Sequence, residues 1–122
     1  MNKQMIEWQE FQKKQQKKME EFKALSFEQR LEITVKKMVH IATSGTGSSQ
    51  LYVDMLLSML PNSTHKVNMS EWCYKADRDD FNTILELMQK TKENSQIIWE
   101  YEALISPYME ELKQIAEGVQ NV

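Results

Sequence analysis

Residues 45–60, GTGSSQLYVDMLLSML, constrain the fold more than any other stretch of the chain. Five small residues, Gly45 to Ser49, open into a run in which only Asp54 and Ser58 interrupt Leu, Tyr, Val and Met from Leu51 to Leu60. Ser48 or Ser49 is placed to cap a helix there by accepting a hydrogen bond from an orphan amide, and Pro61 stops it. A helix that is apolar on nearly every side must be covered on nearly every side. The stretch therefore predicts a central helix over about 49–60 that the other elements wrap.

Those other elements are helices too. Gly (3) and Pro (2) are scarce, which leaves little turn chemistry for a β fold and room for long helices. The expectation is an all-α fold of five or six helices in one domain of 122 residues. It divides into a long basic N-terminal helix (1–25), a helical core (26–94) and a heptad-patterned C-terminal helix (95–120). Cys73 is the only cysteine, so no intrachain disulfide forms. No apolar run approaches the roughly 18 to 20 residues of a membrane span, and MNKQMIEWQEF lacks the continuous apolar core of a signal peptide. A cytoplasmic protein with no membrane partner is expected.

Residues 2–24 read as a helix whose apolar positions Met5, Trp8, Phe11, Met19 and Phe22, with Leu25, fall on one face. A polar gap from Gln12 to Lys18 divides that face. Trp8 and Phe11 either dock on the core or form a hook for a partner. Lys13, Lys14, Lys17 and Lys18 read as a solvated face, with contact to nucleic acid as the alternative. Charge limits that alternative: residues 1–25 balance at +2, but the remainder balances at −5, and a nucleic-acid backbone calls for clustered positive charge.

Ser26 and Gln29 form a capping box for a second helix. Leu31, Val35, Met38, Ile41 and Ala42 supply its inward face, widened by Ile33 and Val39, and His40 sits near its C-terminal end. After the central helix, Asn68 with Glu71, or Ser70, starts a short turn carrying Trp72 and Cys73, the latter read as a buried thiol. Asp77, Asp79 and Asp80 crowd the start of a further helix, as the helix dipole favours, with Phe81, Ile84, Leu85, Leu87 and Met88 facing inward. Ser95 caps the last helix. In it Ile98, Tyr101, Ile105, Tyr108, Leu112, Ile115 and Val119 follow alternating steps of three and four. That seam closes either within the chain or on a second copy. Pro107 kinks the helix or restarts it with Ser106 as the cap.

The residues hold little chemistry. A nucleophilic triad needs Ser or Cys with a His base and an orienting acid, and both histidines lie in poor contexts. His65 and Cys73 supply only two metal ligands without a CxxC, HxxxH or HExxH pattern. Gly45-Thr46-Gly47 is not a phosphate loop, since it lacks GxxxxGK[ST] and follows a helix. No enzyme activity, metal or cofactor is expected.

Residues Ile41 to Gln50 (IATSGTGSSQ), then VDMLLSML, then KVNMSEW and the acidic helix start, resemble a family of small helical proteins of unknown function carried by phages, plasmids and integrative elements. That family has an LLEIA-like helix end, a G-T-G-x-S linker, a hydrophobic helix and an FDLT-like capping turn, where this chain has Val67-Asn68-Met69-Ser70. The resemblance covers about residues 30–90 and implies a mobile-element origin without a known reaction. With the small size and acidic balance, it leads to a non-catalytic protein-binding module, with a host defence protein or CRISPR effector as one class of target. Trp8, Phe11, Trp99 and Tyr101 are the expected contacts, because aromatics serve as interface anchors. The second expectation is a homodimer through Ile98, Ile105, Tyr108, Leu112 and Ile115.

Overall fold

The computed structural model of the chain describes residues 2–118. Seven α-helices and a 3-10 turn account for the regular structure of those residues: α1 (Lys3–Ala24), α2 (Phe27–Thr43), α3 (Ser49–Ser58), α4 (Met69–Lys75), α5 (Arg78–Glu93), α6 (Ile97–Ile105), the turn Ser106–Tyr108 and α7 (Met109–Ala116). Counting α6, the turn and α7 as one interrupted helix gives six, the all-α architecture expected. Among the described residues no helix is long and apolar enough to cross a membrane. The chain forms two compact units, Met1–Arg30 and Leu31–Val122.

In the first unit, Asn2 caps α1 by accepting from the Gln4 amide at 3.0 Å. The helix ends at Leu25, whose extended backbone leads into the Ser26–Gln29 capping box. Both halves of that box form: the Ser26 amide donates to Gln29 Oε1 at 3.1 Å, and the Gln29 amide donates to Ser26 Oγ at 3.2 Å.

In the second unit the core comes from every helix. Leu31, Val35, Met38, Val39 and Ala42 of α2, Ile84 and Leu87 of α5, and Leu112 of α7 are buried. Seven of the ten α3 residues are buried: Ser49, Leu51, Tyr52, Val53, Met55, Leu56 and Leu57. Helix α7 packs on α3, α6 on α5, and α4 on α3. Trp72 meets Tyr52 edge-on, with ring centroids 5.3 Å apart, an arrangement suited to the ring quadrupoles. Two residues assigned inward on pattern alone, Ile33 and Leu85, are exposed. Thr34, next to Ile33, and Thr83, two positions before Leu85, are buried instead, and their hydroxyls meet at 3.4 Å between α2 and α5.

The small-residue linker closes one helix end as well as opening the next. Ser48 occupies the cap position of α3, but its side chain makes no capping bond. Ser49 instead donates back to the Ile41 carbonyl at 3.0 Å, which Ser44 Oγ also reaches at 2.7 Å. The hydroxyls thus add donors to a terminal carbonyl of α2 that the Ser44 amide also reaches, at 3.2 Å. Gly45, at φ +74°, makes the left-handed turn between them.

The far end of α3 receives the same treatment from distant residues. The Tyr101 hydroxyl of α6 donates to the Leu56 carbonyl, and Ser63 Oγ donates to the Leu57 carbonyl at 2.7 Å. Burial holds the Tyr101 phenol well above its ordinary pKa, so it donates at every physiological pH. Tyr101→Phe leaves the Leu56 carbonyl without this donor inside the core. The expected loss is about 1–3 kcal/mol of unfolding free energy in urea melts, and an unchanged midpoint would contradict this role.

Candidate functional site

Helix α1 runs 22 residues without a Gly, a Pro or a single buried side chain. Its Gln, Glu, Lys and Met content suits a helix, but a helix usually owes its stability to packing of its apolar face. Trp8 and Phe11 are 59% and 52% exposed. Their rings stack at 5.9 Å between centroids with 22° between planes, the i, i+3 relation that helix geometry brings together. Met5 and Met19 are exposed on the same face. Lys13, Lys14, Lys17 and Lys18 are all exposed as well. The result is an amphipathic helix that offers an aromatic pair, two thioethers and a set of ammonium groups.

The C-terminal candidates sit differently. Trp99 is half exposed on α6. Tyr101 is a core residue, fully buried and bonded to α3, so it has no surface to offer a partner. Of the seam, Ile105 and Leu112 are fully buried within the chain, while Ile98, Tyr108 and Ile115 are half-buried. Val119 lies outside the described residues. The last helix begins at Ile97 with Gln96, not Ser95, at its cap position. Pro107 sits inside the 3-10 turn, so the helix restarts at this point.

A polar cluster in the second unit is held by contacts that span 25 to 43 positions of the chain. The Tyr52 hydroxyl donates to Asp80 Oδ2 at 2.9 Å and accepts from the Asp77 amide at 3.3 Å. Lys37 of α2 bonds Asp77 and lies 3.3 Å from Asp80 Oδ1. That second contact is an ion pair off hydrogen-bond geometry, so Oδ1 has charge compensation but no donor. Asp80 is only 1% exposed. Burial pushes its pKa above the usual carboxylate value, against the pull of Tyr52 and Lys37. Asp77 moves the other way, lowered first by its hydrogen bond to Lys37. Burial raises Tyr52 to about 12. Burial acts to lower Lys37, but its carboxylate partners overcome this and hold it above its ordinary value.

These four residues tie the start of α5 to α2 and α3. Of the three aspartates that the helix dipole favours at this end, Asp77 and Asp80 use their side chains for this tie, and Asp77 holds the cap position of α5 without a capping bond of its own. One signal pointed to it, a tyrosine inside an otherwise apolar helix, whose buried hydroxyl needs a partner.

A second pair, His65 and Asp54, meets at 2.8 Å, with Gln50 donating to the same Asp54 oxygen at 2.9 Å. It borders an open cleft of about 740 Å³ lined by Leu57, Pro61, Lys66, Lys113 and Glu117 among others. The Ser63 hydroxyl, two positions before His65, is committed to the Leu57 carbonyl. Cys73 is exposed rather than buried: Trp72 takes the inward position of α4, which turns Cys73 and Tyr74 outward. Among the described residues no group of three or more His, Cys, Asp or Glu side chains gathers as metal ligands would. No family model, curated protein or solved structure matches the chain.

Two outcomes test this placement. Leu112→Lys puts a charge into the core, so it should cost about 3–5 kcal/mol of stability; a fully stable variant would contradict the burial. For Asp80 the raised folded pKa means the native state binds the proton more tightly than the unfolded chain. Stability from this group therefore falls as pH rises from the ordinary carboxylate value through the folded pKa. Urea melts should show wild type gaining on Asp80→Asn as pH falls from 7 toward 4, and a shift in the other direction would contradict dominant desolvation.

Proposed function

We propose that this chain is a non-catalytic protein-binding module whose contact surface is the apolar face of α1. The observation that carries this reading is the stacked, half-exposed pair Trp8 and Phe11 on a 22-residue helix without a buried side chain. A solvated indole and phenyl ring side by side hold apolar area that water disfavours, and aromatic anchors of this kind dominate the energy of interfaces. An amphipathic helix binds by laying that face into an apolar groove. Lys18 and Lys23 border the stripe, so acidic residues along the groove suit it.

The protein acts in the cytoplasm in this reading, with its single cysteine reduced. The resemblance of residues 30–90 to proteins of mobile elements supports a host protein as the target. Defence proteins, CRISPR effectors among them, are the class to assay first.

The test is capture from host lysate by the immobilised chain, compared with Trp8→Ala/Phe11→Ala. Alanine favours the helix more than either aromatic does, so the thermal midpoint should stay unchanged while capture of the specific partner falls at least tenfold. Equal capture by both chains would contradict α1 as the contact surface.

A further inference from the structure

The apolar stripe of α1 has a symmetry of its own. Met5, Trp8, Gln12, Gln15, Met19 and Phe22 follow steps of three, four, three, four and three, the spacing of a coiled-coil seam. Read from either end, the series runs thioether or ring, ring or thioether, amide, then back again. Met5, Trp8 and Met19 are exposed, and Gln12 and Gln15 are exposed between them.

We infer that the occupant of this face is a second copy of the same helix, paired antiparallel. This rests on the reading of α1 as the contact surface and names the partner for it. Antiparallel pairing sets Met5 opposite Phe22, Trp8 opposite Met19 and Gln12 opposite Gln15. Each outer layer then joins a thioether to an aromatic ring, a favourable contact in its own right, and each central layer joins two amides that can bond each other. A parallel pair would put like on like instead: Met5 on Met5, Trp8 on Trp8, Phe22 on Phe22.

The flanking positions discriminate more sharply. In a parallel pair Lys18 faces Lys23 on both sides of the seam, a like-charge contact that opposes assembly. In the antiparallel pair Lys18 faces Phe11, where an ammonium over a ring is attractive, and Gln9 faces Gln16. No like charges meet across the flanks. The complementarity of charge and ring selects the antiparallel second copy over the parallel one. Two central amide layers keep the pair weak, so the face can be released to another partner.

The experiment uses the purified full chain alone. Sedimentation equilibrium from about 5 µM to 1 mM should show the mass rising from 14.5 kDa toward twice that value. Gln12→Leu/Gln15→Leu should tighten the dimer at least tenfold, and Trp8→Glu should abolish it. Lys18→Glu keeps a good helix former and should weaken the pair about two- to five-fold by removing the cation from Phe11. Tightening by Lys18→Glu would mean a parallel pair and overturn the inference.

Spin labels at Lys3→Cys in a Cys73→Ser background read the direction. The antiparallel pair separates them by about 31 Å, the rise over 21 residues of helix; a parallel pair brings them to roughly one interhelical spacing plus linkers, under about 20 Å. A chain monomeric at every concentration overturns the second copy as occupant. It leaves the reading of α1 as a contact surface to the lysate comparison, whose failure is read separately as unchanged capture by the Trp8→Ala/Phe11→Ala chain.

Discussion

Burial of α3 is the constraint on which the second unit depends. Its sequence offers water only a narrow polar strip, Gln50, Asp54 and Ser58, at i, i+4 spacing: seven of ten residues are buried, and Val53, Met55 and Leu56 are completely so. Removing a side chain of this size from water contributes about 1.5–3 kcal/mol, so exposure of this one helix would consume the margin by which a domain of this size is stable. Helices α4 and α7 pack on it, and α2, α5 and α6 each send or receive a hydrogen bond with it.

Covering most of a helix creates a second problem, because its terminal amides and carbonyls lose water along with its side chains. The chain answers with hydroxyls. Tyr101 and Ser63 serve the C-terminal carbonyls of α3, Ser44 and Ser49 serve that of α2, and Tyr52 carries the contact outward to α5. Tyr52 reaches a carboxylate that is itself buried, so Lys37 must stand close enough to offset the charge. Leaving the buried Asp80 charge alone would be costly, whereas Lys37 keeps part of its side chain in water. The polar groups inside this unit are thus consequences of the apolar ones.

Local features were legible in the sequence where a side chain bonds its own neighbourhood. The Ser26–Gln29 box and the Asn68 cap, which accepts from the Glu71 amide at 3.0 Å, follow from spacing alone. Helix spans for α1 and α2 follow from periodicity. Features that depend on distant residues were not legible. Spacing of three and four marks Tyr101, Ile105 and Leu112 as one apolar face, but it cannot say whether α3 or a second chain covers that face. Asp77 and Asp80 look like dipole partners until Lys37 and Tyr52 arrive from 40 and 28 residues away. Cys73 and Trp72 are adjacent, and only the packing of Trp72 on Tyr52 decides which of them turns outward. In the candidate site, the exposed pair Trp8 and Phe11 was identifiable as a unit, while its freedom from burial was a matter for the structure.

Helix α1 stands under different physics from α3. It has good propensity, a cap and an apolar stripe, yet none of its residues is buried, so its stability alone is that of a solvated helix. The contrast between the two helices is sharp: α3 is largely consumed by the core, and α1 has no buried residue. Hydrogen exchange on the dilute chain tests it directly. Amides of α3 should exchange only through global unfolding, while those of α1 should exchange orders of magnitude faster through local fraying. Equal protection of α1 and α3 at low concentration would contradict it.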